Sequence, residues 1–375
     1  MKKIVFGITS LTLGGAERVL VDIVNKLNND YDITIFTLYK GGEFEKAVSN
    51  RVKVKSLYDT SYINMSKLKK IAISLKLFFM KNSIYNKNIK QEKYDTEIAF
   101  LEGPITRLFS TKNPNTKKIA WVHNDIAQVF GDSLKSKMKN KYDKKVYNIY
   151  QTIVFVSKDN LKKFKKTYSN IDVKKLKLIY NYIDANNVLK KANMDENIEL
   201  EQGKINIVTV SRLTKQKAID RLINVHKDLI ENGIMHNIYV IGDGSQKEFL
   251  QKQIEEANVK ETFNLLGKKE NPYPYIKKAS LFCLLSEYEG YGMVLEEAKI
   301  LDKFIITTNT ATREAVANYQ KSLVVDNNEE AIYEGLRKVI KDRLNAEYEN
   351  NEINENNNEN LYNNMQILEE IKEIL

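Results

Sequence analysis

A single cysteine, Cys283, stands in 375 residues, so no disulfide framework can form and the chain suits a reducing compartment. Histidine is nearly as scarce, with three: His123, His226 and His236. No His/Cys/Asp cluster has metal-ligand spacing, so neither a metal nor another cofactor is expected. No run approaches the ~20 apolar residues of a spanning helix. The start, "MKKIVFGITSLTLGGAE", has the lysines and apolar stretch of a signal peptide, but Gly7, Thr9, Ser10 and Thr12 interrupt it. A buried first strand followed by a glycine turn is expected instead.

What the chain does have is apolar sequence in short runs. Hydrophobic residues make up 42% of it, enough for two domains with real cores. The first half reads as strands at "KIVFGIT", "YDITIFTLY", "RVKVKSL", "TEIAFLE", "KIAWVHN", "TIVFVSK" and "KLKLIYN". The second reads as "INIVTVS", "NIYVIGD", "FNLLG", "SLFCLLS", "FIITTNT" and "SLVVD". Most runs are apolar on both faces, as covered parallel strands should be. Helical patterns lie between them, as at Ala16–Leu27, Gln246–Ala257 and Glu329–Ile340. The alternation predicts a doubly wound α/β fold, with two Rossmann-like domains facing a central cleft.

The expected division is 1–184, 185–345 and 346–375. Ala185–Gly203 would be the linker, 345–360 a mobile or loosely helical polar piece, and the end a helix returning to the first domain.

Three stretches carry candidate chemistry. In "VSRLTKQKAIDRLI", Arg212 ends a strand and Lys217 opens a helix, two cations suited to a diphosphate. In "GDGSQKEF", Gly242 and Gly244 permit close approach, to a ligand or simply within a tight turn. In "SEYEGYGMVLEEAKI", Gly290 and Gly292 turn the chain from strand to helix between Glu289 and Glu297. Backbone N–H groups there suit a diphosphate, and the carboxylates suit sugar hydroxyls. His123 ends a strand at the expected cleft; His226 and His236 fall in or beside an amphipathic helix and read as structural or exposed.

"SRLTKQK", "GDGS", "FNLLG" and "SEYEGYGMVLEEA", with "GGAER" and "WVHND" before them, resemble the retaining family-4 glycosyltransferases of the GT-B fold over roughly residues 1–340. The resemblance implies that Arg212 and Lys217 hold a donor diphosphate and Glu297 accepts from its ribose. It implies that Glu289, with the backbone of Gly290, Tyr291, Gly292, Met293 and Val294, holds the transferred sugar. His123 would sit near the anomeric centre, Gly14 and Gly15 would let the first loop close on the diphosphate, and Gly267 and Lys268 would read the base. Ala218 departs from the pattern, standing where the family usually has glycine.

The activity implied is transfer of a sugar, with retention, from a UDP-sugar or other nucleotide-sugar donor to a saccharide, lipid-linked or protein-linked hydroxyl in bacterial surface polysaccharide or glycolipid synthesis. A nucleotide-sugar epimerase or phosphorylase on the same fold is an alternative, as is a non-catalytic sugar-nucleotide-binding partner.

The net charge of +10 calls for an anionic partner. Residues 67–94 hold eight lysines against one acid, Glu92, with "LKLFFM" among them, and "KSKMKNKYDKK" adds a second cluster. Such mixtures suit an anionic membrane surface better than nucleic acid, for which no binding motif is present. The expected location is cytoplasmic, peripheral on the inner face of the cytoplasmic membrane.

Overall fold

The computed structural model describes residues 1–12, 14–61, 65–124, 134–194, 198, 200–346 and 358–375. Most of the polar piece 345–360 and part of "KSKMKNKYDKK" lie outside these residues or their described side chains. The chain divides into two compact units, Met1–Ile183 with Asn364–Leu375, and Asp184–Asn363.

The first unit contains β1 (Lys3–Ile8), β2 (Asp32–Tyr39), β3 (Lys53–Tyr58), β4 (Thr96–Ala99), β5 (Lys117–Val122), β6 (Thr152–Phe155) and β7 (Leu176–Leu178). They form one parallel sheet in the order β3-β2-β1-β4-β5-β6-β7. The second unit contains β8 (Asn206–Val210), β9 (Asn237–Ile241), β10 (Phe263–Gly267), β11 (Leu281–Leu284), β12 (Phe304–Thr308) and β13 (Ser322–Val325), in the order β10-β9-β8-β11-β12-β13. Each unit therefore runs outward in one direction from its first strand and then reverses to its fourth. That is the Rossmann order, and ligands bind such sheets beyond the strand carboxyl ends at the reversal.

The thirteen apolar runs became these thirteen strands because most are covered on both faces. Central strands are almost wholly buried, whereas the edge strands β3, β7, β10 and β13 are only partly so. The helices Gly15–Leu27, Lys247–Glu256 and Glu329–Ala346 follow the amphipathic patterns. The last helix, Asn358–Ile374, buries Leu368, Ile371 and Ile374 on the first unit. Leu375 O there accepts from Lys2 Nζ at 2.6 Å and Thr96 Oγ1 at 2.8 Å.

The expected linker is not loop at its start. Ala185–Ala192 is a helix, capped by Asp184 accepting from Asn187 N at 3.0 Å. Ala185, Val188 and Ala192 repeat at helical spacing and are buried, which fixes the segment to the second unit.

His226 and His236 are both buried and structural rather than exposed. His236 Nδ1 lies 2.9 Å from Ile234 O and must donate to it, which leaves its Nε2 to accept from His226 Nδ1 at 2.9 Å. His226 Nε2 then accepts from the Thr262 hydroxyl at 2.8 Å. Both rings are neutral in this chain of bonds, and burial lowers their pKa values to about 3 and about 4.

Candidate active site

In the second unit the reversal lies between β8 and β11, and the loops after these two strands are tied together. Glu287 N donates to Gln216 O at 2.9 Å, and Gln216 Nε2 donates to Tyr288 O at 2.9 Å. Lys217 Nζ pairs with Glu289 Oε1, which also accepts from the buried Ser286 hydroxyl at 2.7 Å. Lys217 and Glu289 keep only 13% and 9% of their side chains exposed, so the pair is poorly screened by solvent. Arg212, at the end of β8, is exposed beside this pair in sequence and strand order.

Backbone geometry explains the spacing. Lys215–Lys217 form a single 3₁₀ turn, and Ala218 then takes φ 49° and ψ 42° before the helix Ile219–Glu231 begins. This is the left-handed region, which glycine enters freely and alanine at a cost of roughly 1–2 kcal/mol. The departure at Ala218 is therefore a real strain carried next to Lys217. On the other loop, Gly292 has φ 85° and opens the helix Met293–Ile300. A side chain there would crowd Leu284, Thr312 and Leu295 at 3.2–3.3 Å, so both conformation and space require glycine.

Gly242 and Gly244 serve the same loop from the side. A Cβ on Gly242 would strike Ser211 O, and one on Gly244 would strike Leu213 O. Their bareness lets the β9 loop lie against Ser211–Leu213, where Leu213 N donates to Asp243 O at 3.0 Å. Gly267, with φ 69°, faces open space and accepts from Gly242 N at 2.9 Å; Lys268 follows it, exposed.

Within the helix Met293–Ile300, Met293 and Val294 are half-buried at its start. Glu297 lies one turn in and accepts from the Tyr273 hydroxyl at 3.1 Å. Tyr291 is buried, its hydroxyl donating to Glu296 at 2.7 Å. Gly290 is half-buried between Glu289 and Tyr291.

The first unit carries the remaining candidates at its own strand ends. Gly14 is the extended residue before the helix Gly15–Leu27, and a Cβ there would run into the Glu17 carboxylate. His123 follows β5, is 8% exposed, and its Nε2 has no hydrogen-bond partner among the described residues. Its ring lies 4.7 Å from that of Phe100 and stacks at 6.3 Å on Trp121. Burial lowers its pKa to about 3, so it is a neutral imidazole at physiological pH, able to give or take a hydrogen bond but not to act as a cation.

Sequence reasoning missed Glu102. It follows β4, is buried, and its Oε1 accepts from Asn124 N at 2.5 Å, next to His123. Its pKa is raised by that burial, with Asn124 opposing the shift. The signal was present: "LEGP" places glutamate and glycine after an apolar run, as "YEGYG" does.

Among the described residues no group of three His, Cys, Asp or Glu is arranged to hold a metal ion, and no helix is long and apolar enough to cross a membrane.

Residues 190–360 match the family described as glycosyl transferases group 1. A relative from Campylobacter jejuni, the N-acetylgalactosamine-N,N'-diacetylbacillosaminyl-diphospho-undecaprenol 4-alpha-N-acetylgalactosaminyltransferase, is 28% identical over 367 residues, 93% of each chain. A second from that organism, an alpha-1,4-N-acetyl-D-galactosaminyltransferase acting on a diNAcBac-PP-undecaprenol-linked glycan, is 28% identical over 88% of this chain and 84% of its own. Anabaena HepE, solved in complex with UDP-glucose, superposes with a TM-score of 0.74 at 17% identity, covering all of both chains, a likeness of fold.

Proposed function

We propose that this chain, which matches the group 1 glycosyl transferases over residues 190–360 and has a GT-B fold, moves a sugar from a UDP-sugar to a hydroxyl of a lipid-linked saccharide, with retention of anomeric configuration. The observation that carries this reading is the joining of the β8 and β11 loops through Lys217 and Glu289 at the sheet reversal. The names of the Campylobacter relatives support the lipid-linked acceptor and, in transferring alpha-linked sugars, the retention. HepE holds the same class of donor on this fold.

In this reading Arg212 and Lys217 take the donor diphosphate, and charge developing on the leaving phosphate is met by fixed cations rather than by a metal. Glu289, already oriented by Lys217 and Ser286, accepts from hydroxyls of the sugar. Glu297 accepts from the ribose, and the backbone at Gly267 and Lys268 meets the base. The acceptor attacks from the face the phosphate leaves, and that phosphate takes its proton. His123, neutral, contributes a hydrogen bond to the sugar, and Gly14 and Gly15 leave backbone room for the diphosphate.

A screen over nucleotide-sugars, read as nucleoside diphosphate released with and without a polyprenyl-diphosphate saccharide, tests the reading. UDP release that rises with acceptor and is unchanged by a metal chelator is expected. Interconversion of the donor without release would replace transferase by epimerase.

A further inference from the structure

The helix Lys67–Phe79 has two apolar faces, and only one is covered. Ile73 and Leu77 are buried against the first unit. Leu68 and Phe79 are 81% and 77% exposed, and Ile71, Leu75 and Phe78 are each more than half exposed. At about 100° per residue these five side chains fall within about 100° of one another, nearly opposite Ile73 and Leu77. Lys69 and Lys76 border that stripe on one side and Lys70 on the other. Met80, the residue after the helix, is 48% exposed, and the Phe78 ring leans on Tyr142 of the helix Leu134–Asn148 at 5.5 Å, where Lys141 and Lys145 are exposed.

The patch is exceptional within this molecule. Six of the thirteen large apolar side chains exposed among the described residues lie between Leu68 and Met80, and the others are scattered along the chain. Scattered exposed apolar residues need no partner, whereas a contiguous patch does. Charge selects which partner. From Thr60 to Gln91 the chain has seven lysines and no acid, so the surroundings of the patch carry one sign. An apolar stripe bordered by lysines matches a bilayer whose acyl boundary accepts the stripe while its anionic headgroups meet the ammonium groups.

We infer that the helix Lys67–Phe79 is an interfacial helix that seats the first unit on an anionic lipid bilayer through Leu68, Ile71, Leu75, Phe78 and Phe79. The inference does not depend on the sugar chemistry, because binding is read without donor or acceptor.

Sedimentation of the full chain with vesicles tests it, comparing phosphatidylglycerol/phosphatidylcholine with phosphatidylcholine alone. At least tenfold stronger binding to the anionic vesicles is expected. Lys69→Gln with Lys76→Gln should weaken that binding roughly tenfold or more, at about fivefold per lysine. Leu68→Ser with Phe79→Ser should weaken it at least tenfold, since two large side chains no longer enter the bilayer. All four side chains are exposed, so unfolding temperatures should stay near that of the wild type. Equal binding to both lipids, or undiminished binding in either variant, would overturn the inference. So would a dimer that Leu68→Ser with Phe79→Ser dissociates while no vesicle is bound, which would assign the face to a second copy of the chain.

Discussion

The two units place a glutamate–glycine pair at equivalent points and surround it differently. Glu102–Gly103 follows β4 and Glu289–Gly290 follows β11, each the fourth strand of its unit and each beside the reversal of its sheet. Glu289 meets a cation, Lys217, supplied by the loop after the unit's first strand. Glu102 meets the backbone and side-chain amide of Asn124, at 2.5 and 3.2 Å, and burial raises its pKa. One scaffold thus offers a charged, ion-paired corner in the second unit and a desolvated corner, with the neutral His123 at its side, in the first. Chemistry follows from what the loops bring, not from the fold they hang on.

The strongest way to break this contrast is to remove the cation. Lys217→Ala should lower transfer by ~10²–10³, the usual loss of one contact to developing charge. It should also destabilise the second unit, by up to about 3 kcal/mol, because Glu289 is left buried without its partner. Adding Glu289→Gln should recover much of the stability and none of the turnover. Paired thermal melts and rate measurements check both halves; a stable, inactive Lys217→Ala protein would show that the ion pair has no structural weight.

Acid should separate the units next. His226 and His236 lie in the second unit with pKa values lowered to about 3 and about 4, and His123 lies in the first at about 3. Since the unfolded rings titrate near 6.5, the unfolded chain takes up protons first as pH falls. The contribution of each is complete above pH 6.5 and is lost toward pH 4, by on the order of 2 kcal/mol per histidine at pH 5. Glu102 acts in the opposite sense: its raised pKa favours the fold below the ordinary carboxyl range and loses that contribution as pH rises through the raised value. Hydrogen exchange between pH 7 and 5 should therefore show the second unit loosening more than the first. Equal loosening would contradict the neutral His226–His236 chain.

Much of the fold was legible because the strands are buried on both faces and announce themselves as short apolar runs. The helix Ala185–Ala192 was not, since its few apolar residues sit among asparagines and lysines and the pattern is only two turns long. At the site, charge and glycine after apolar runs pointed to Arg212, Lys217, Glu289 and Glu297. The Lys217–Glu289 pair was invisible, being made across 72 residues by strand order. The packing of Gly242 and Gly244 on Ser211–Leu213 was hidden for the same reason. His226 and His236 showed no periodic sign of the hydrogen-bonded chain they form.

Smaller effects are expected at His123 and Ala218. His123→Ala should reduce turnover about tenfold, as one neutral hydrogen bond to the sugar is lost, with little change in UDP affinity measured by calorimetry. A collapse of UDP affinity with normal turnover would move His123 to the nucleotide. Ala218→Gly should change stability by less than about 1 kcal/mol. Relief of roughly 1–2 kcal/mol of left-handed strain is offset by the buried methyl and by the freer unfolded chain. Chemical denaturation checks this, and a loss well above that would mean the left-handed turn at Ala218 is not strained.

UDP release by Arg212→Ala tests the placement of the donor diphosphate most directly. Arg212 is exposed, and among the described residues its side chain makes no ion pair, so its removal should leave the melt unchanged. With a UDP-sugar and a lipid-linked acceptor, release of UDP should fall ~10²–10³-fold against the wild type at saturating donor. Release at the wild-type rate would contradict a diphosphate held at the end of β8.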